Sequence, residues 1–108
     1  MVNTFKGLKL KALACALPEQ TRTIESFKTR FDAEKVDRFR EVVGIEALHV
    51  APKGLKTSDL ACAAAEQLFT KHPAITRESI NVVLFITQTP DAVAPATAAL
   101  LQQRLQLP

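Results

Sequence analysis

Ile80-Asn81-Val82-Val83-Leu84-Phe85-Ile86-Thr87 is the stretch on which the fold turns. Its apolar residues do not alternate with polar ones. Even and odd positions are both apolar, so a strand here would present two water-avoiding faces. Such a strand belongs inside a mostly parallel sheet with helices on either side. The flanks agree. Upstream, Thr57-Ser58-Asp59 opens a helix with Leu60, Ala61, Ala64, Ala65, Leu68 and Phe69 on one broad face, and Pro73 closes it. Downstream, Pro95 fits the first turn of a final helix that turns Leu100, Leu101 and Leu105 inward.

Further upstream, residues 8–17 read as another strand. Leu8, Leu10, Ala12, Ala14 and Ala16 are apolar on one face, while the other begins with Lys9 and Lys11 and turns apolar at Leu13, Cys15 and Leu17. Pro18 ends it. Thr23 is placed to cap a helical stretch in which Ile24, Phe27 and Phe31 share a face. Asp32 caps a second helix carrying Val36, Phe39, Val42 and Val43, and Gly44 stands at a left-handed C-terminal cap. Residues 45–50 are a short extended segment stopped by Pro52 and Gly54. Strands alternating with helices make the fold α/β.

Composition narrows the function. The chain has 108 residues, 47% apolar and 23% charged, with 14 Lys+Arg against 11 Asp+Glu for a net charge of +3. Those values suit one globular domain and exclude a collagen-like or disordered chain. No apolar run approaches the ~20 residues of a membrane span. Lys9 and Lys11 interrupt any secretory apolar region in the opening Met1-Val2-Asn3-Thr4-Phe5-Lys6-Gly7-Leu8, so a cytoplasmic protein is expected. Cys15 and Cys62 form no CxxC, and His49 and His72 lack ligand spacing to them, so no metal site is expected. Both thiols are expected reduced and buried, and both His are read as surface or locally hydrogen-bonded groups. With no Trp or Tyr, and with cations alternating with acids as in Glu34-Lys35-Val36-Asp37-Arg38, the chain offers no nucleic-acid track.

A strand apolar on both faces needs neighbours on both edges, and 108 residues supply few. The expectation is therefore the first part of a larger doubly wound fold.

Five features occur in order: a first strand ending Leu17-Pro18-Glu19, Val43-Gly44-Ile45 after a charged helix, Thr57-Ser58-Asp59-Leu60-Ala61, the strand to Thr87, and Thr87-Gln88-Thr89-Pro90-Asp91 with Pro95-Ala96-Thr97-Ala98. Together they resemble the N-terminal part of β-ketoacyl-acyl-carrier-protein synthase III and its thiolase-fold relatives, from about Leu8 onward. The resemblance implies that residues 1–108 are the N-terminal part of a thiolase-like synthase domain, ending before the nucleophile. It implies an acyltransferase that takes an acyl group from coenzyme A or a carrier protein onto a Cys and condenses it with malonyl-carrier protein. The full-length enzyme would be a homodimer without cofactor. The Cys, His and Asn of that chemistry would all lie beyond residue 108, leaving this chain inactive alone, with neither Cys62 nor Cys15 replacing the nucleophile.

The same resemblance brings the loop of Thr87, Gln88, Thr89, Val93 and Ala94 to the acyl pocket and the dimer two-fold. The reading from composition alone is an ordinary Pro-Asp turn. Where many members carry a Trp and an Arg for coenzyme A, this chain has Arg38 and Val42, and Ala96 stands where Ser is common. Arg38, or Arg40 beside it, is the candidate coenzyme contact, against a solvated-surface reading of both. Two other classes stay open: a non-catalytic thiolase-fold partner of a heterodimeric synthase, and an independent small α/β binding module.

Overall fold

A computed structural model describes Thr4 and residues 6–108. Met1, Val2, Asn3 and Phe5, part of the secretory-signal reading, lie outside the described residues. The chain divides into two compact units: residues 17–56, and Thr57–Pro108 with the segment up to Ala16.

In the first unit, strand β1 (Thr21–Thr23) pairs antiparallel with β2 (Ala47–His49), in register Thr21 with His49, Arg22 with Leu48 and Thr23 with Ala47. The ladder continues through Ile24 N–H to Glu46 O at 2.9 Å and Val50 N–H to Gln20 O at 2.8 Å. This pair corrects the reading of Thr23 as a side-chain helix cap. Thr23 is extended, its hydroxyl caps nothing, and a 3-10 helix follows over Ile24–Thr29. Helix α1 (Ala33–Val43) starts and stops where its sequence says. Asp32 accepts from Lys35 N–H at 3.2 Å, and Gly44 takes φ +71°, donating to Arg40 O at 2.8 Å. A left-handed residue is cheapest as glycine, which has no Cβ to collide with the backbone. Of the apolar stripe expected on α1, only Val36 is buried; Phe39, Val42 and Val43 are exposed. Lys28 bridges Glu25 at 2.6 Å and Asp37 at 2.7 Å, and those two hydrogen bonds hold its ammonium above the ordinary lysine range.

The second unit is built on α2 (Thr57–Lys71) and α3 (Thr97–Arg104). The α2 face expected from sequence is the one half-buried, while Ala63, Glu66 and Gln67 face solvent. Leu101 and Leu105 of the α3 region are 3% and 6% exposed. Arg77 fastens the turn between the helices. Its Nε donates to Leu105 O at 2.9 Å, its Nη2 to Glu66 at 2.7 Å, and its guanidinium lies 4.8 Å from the Phe69 ring centroid. A planar fork can satisfy a carbonyl, a carboxylate and an aromatic face at once. Helix α3 begins at Thr97 after Ala96, so Pro95 precedes the helix instead of occupying its first turn.

The expected strands need the largest correction. Neither residues 8–17 nor residues 80–87 form a ladder among the described residues, whose hydrogen-bonded sheet is the antiparallel β1–β2 pair. The pleat is nonetheless visible in burial. Ala12, Ala14 and Ala16 are half-buried, as are Val83, Phe85 and Thr87. Their neighbours face water: Val82 is 73% exposed, Leu84 85% and Ile86 94%. Leu8, Leu10, Leu13 and Leu17 are exposed as well, where one face was expected to be covered throughout. One side of residues 12–16 and 83–87 is half-buried and the other is bare, while residues 8–11 are exposed on both. Runs apolar on both faces need two covering layers, and the described residues cover one side of residues 12–16 and 83–87.

Candidate functional site

Thr87 and Thr89, two of the residues singled out on the loop from residue 87, meet the start of α2 in a network of hydroxyls. The Thr57 and Thr89 hydroxyls lie 2.7 Å apart, one donating to the other. Thr87 Oγ1 accepts the Thr89 N–H at 3.0 Å, folding the Thr87-Gln88-Thr89 backbone back on itself. Ser58 has no exposed surface. Its Oγ donates to Asp91 Oδ2 at 2.7 Å and accepts from Arg104 Nη1 at 3.1 Å. Arg104 Nη2 pairs with Asp59 Oδ1 at 2.8 Å. Thr97, 5% exposed, accepts the Asp91 N–H at 3.3 Å.

The local sequence explains this convergence. Thr57, Ser58 and Asp59 are consecutive at the opening of α2, where small oxygen-bearing side chains suit unpaired amides. Pro90 and Asp91 turn the loop towards them. Arg104, at the far end of α3, completes the cluster from another element. Ser58 and Thr97 are the buried members of this set, and a buried hydroxyl is stable only when it is matched.

Of the sequence candidates, the structure brings Thr87 and Thr89 into this cluster. Gln88 is exposed, Val93 is fully exposed, and Ala94 is exposed beside a cis bond to Pro95. Arg38 lies exposed on α1 in the other unit. Sequence reasoning missed Ser58, Asp91 and Arg104 as one group. Ser58 and Asp91 lay inside quoted motifs, but nothing in their spacing pointed to Arg104.

The first unit holds a separate feature, an open groove of about 590 Å³ lined by Ile24, Phe27, Phe31, Val36, Phe39 and Leu48 with Arg30 and Lys35 at its side. Phe27 and Phe31 stack at a tilt with centroids 6.3 Å apart. Among the described residues, no group of three or more His, Cys, Asp or Glu is disposed to hold a metal, and no helix is long and apolar enough to cross a membrane.

The cysteines separate. Both are free, but Cys15 is exposed, correcting the expectation that both are buried; its position falls on the bare side of its run. Cys62 is half-buried, and burial pushes its thiol up, only partly offset by the Arg104 charge. A raised thiol is the reverse of what a nucleophile needs. At pH 7.5 a thiol-disulfide reagent should therefore label Cys15 about tenfold faster than Cys62, from the exposure of Cys15 and the raised, half-buried thiol of Cys62. Raising the pH to 9 should accelerate Cys62 and narrow the gap. Equal rates at pH 7.5, read by peptide mass spectrometry, would contradict this. His49 Nδ1 donates to Pro18 O at 2.6 Å, a local bond that orients the ring, and His72 is exposed.

No family model matches the chain. Among curated proteins it is 36% identical over 100 residues to "Beta-ketoacyl-[acyl-carrier-protein] synthase III" of Rhodospirillum centenum, which takes in 91% of this chain and 30% of that protein. It is 45% identical over 62 residues to the protein of the same name in Dinoroseobacter shibae, covering 57% of this chain and 19% of that one. The chain thus spans about a third or less of the curated relatives it matches. Among solved structures, a 3-oxoacyl-(acyl-carrier protein) synthase from Burkholderia xenovorans superposes with a TM-score of 0.76 at 30% identity, over 89% of this chain and 28% of that one. The Thermus thermophilus synthase III gives 0.74 at 36% identity, over 90% and 30%. OleA of Xanthomonas campestris gives 0.70 at 24% identity, a likeness of fold. By sequence along nine-tenths of its residues and by fold, the chain is a relative of β-ketoacyl-[acyl-carrier-protein] synthase III and corresponds to a piece of that α/β thiolase-like fold.

Proposed function

We propose that residues 1–108 are the N-terminal part of a 3-oxoacyl-acyl-carrier-protein synthase III-like acyltransferase. The observation that carries the reading is the 36% identity spread over 91% of the chain, matched by a common fold. In the whole protein a Cys thiolate displaces the thiol of an acyl-coenzyme A or acyl-carrier protein and keeps the acyl group as a thioester. Malonyl-carrier protein then loses CO2, and the carbanion attacks the acyl-Cys carbonyl. The Cys thiolate leaves and a 3-oxoacyl-carrier protein forms. Donors aimed at the oxyanions lower the barrier. The whole enzyme works as a cytoplasmic homodimer in fatty-acid or related biosynthesis.

This chain's part is positional. Thr87, Gln88, Thr89, Val93 and Ala94 form a loop against the acyl pocket, and the bare faces of residues 8–17 and 80–87 receive the second layer of the fold. Arg38 offers a cationic contact to the coenzyme phosphate, without the stacking surface a Trp would give. The fragment alone transfers no acyl group.

The test is the protein encoded by the whole open reading frame. Incubated with malonyl-carrier protein and a panel of acyl-coenzyme A and acyl-carrier protein donors, it should yield 3-oxoacyl-carrier protein by mass spectrometry. It should also carry an acyl group on one Cys encoded after residue 108. Absence of both products sinks the reading. A second reading draws on Arg38 and Val42 at the coenzyme-contact positions: a non-catalytic partner subunit. Its signature is product only when a second synthase is co-expressed.

A further inference from the structure

We infer that Ser58 is the positioning residue of the 87–94 loop, acting with Arg104 and Asp91 to set acyl-chain preference; the inference rests on the synthase reading above. The loop belongs to no helix or ladder. Its place is held in part by hydroxyls on α2, at Thr57 to Thr89 and Ser58 to Asp91, each 2.7 Å. Ser58 differs from the rest in being wholly buried while serving two partners through one oxygen. Its single proton is committed to the Asp91 carboxylate, and a lone pair takes the Arg104 N–H. Arg104 in turn binds Asp59 at 2.8 Å. One side chain therefore fastens the start of α2, the end of α3 and the loop between them.

Truncating that side chain removes the donor to Asp91 and the acceptor for Arg104 at the same time. Both partners are charged, so the missing bonds weigh more than those between neutral groups. The loop then relaxes away from α2, and Thr87 and Thr89 move with it. Displacement of a substrate-lining loop by about 1 Å is enough to change rates by orders of magnitude.

The experiment uses the whole protein and compares kcat/KM over acyl-thioesters of increasing chain length. Ser58→Ala should shift the ratio between short and long chains by about tenfold. Thr57→Val, which removes a partly exposed hydroxyl at the same junction, keeps the test alive should Ser58→Ala fail to fold. It should shift the ratio in the same direction, and Thr57→Ser should restore it. Arg77→Ala is the stability control, since it unfastens the α2–α3 turn away from the loop; it should lower the melting temperature and leave the ratio alone. Unchanged chain-length preference in both Ser58→Ala and Thr57→Val overturns the inference while the synthase reading stands. A wild-type protein without acyl transfer overturns that reading and the inference with it.

Discussion

Ile86→Lys should be neutral in residues 1–108 and severe in the whole protein. In this chain Ile86 is 94% exposed, so a lysine there meets water and changes stability by no more than about 0.5 kcal/mol. In the longer protein proposed here, the same face is covered by a second layer. A lysine at that position would then be desolvated without a partner, costing about 3 kcal/mol or more. Leu84→Lys, at 85% exposure, should behave likewise. Parallel denaturant titrations of both proteins give the comparison. Equal, small effects in both contexts would mean that the face stays wet in the whole protein. The layered architecture proposed for it would then be wrong.

Leu101→Ala should loosen the second unit. Leu101 is 3% exposed and sits where α3 meets the rest of its unit. Its loss removes buried apolar area and leaves a cavity, for about 3 kcal/mol of destabilisation. Hydrogen exchange should show α2 and α3 losing protection together, because the two helices pack on one another. The amides of α1, in the other unit, should change little. Loss of protection across both units alike would show that they unfold as one body.

These two residues mark how far the amino-acid sequence carries. Leu101 announced its burial through helical spacing, and so did the face of α2. The caps of α1 were legible too, because Asp32 and Gly44 act on atoms three or four residues away. The pleat of residues 80–87 was legible as a pattern, but the strand pairing was not realised, since a ladder needs a neighbour and a ladder is a long-range object. Thr23 was misread as a helix cap for the same reason: the extended state of Thr21–Thr23 comes from Ala47–His49, a partner local spacing cannot reveal.

The candidate site divides along the same line. Thr87 and Thr89 stood out within a short motif, and the helix opening at Thr57 could be read from its own residues. That Ser58 is sealed from solvent, and that Arg104 reaches it, depends on α3 folding back onto α2. Interactions spanning a turn or a motif are written in neighbouring letters. Contacts between remote elements arise only when burial of apolar faces brings those elements together, and here that packing chose which hydroxyl became the hub.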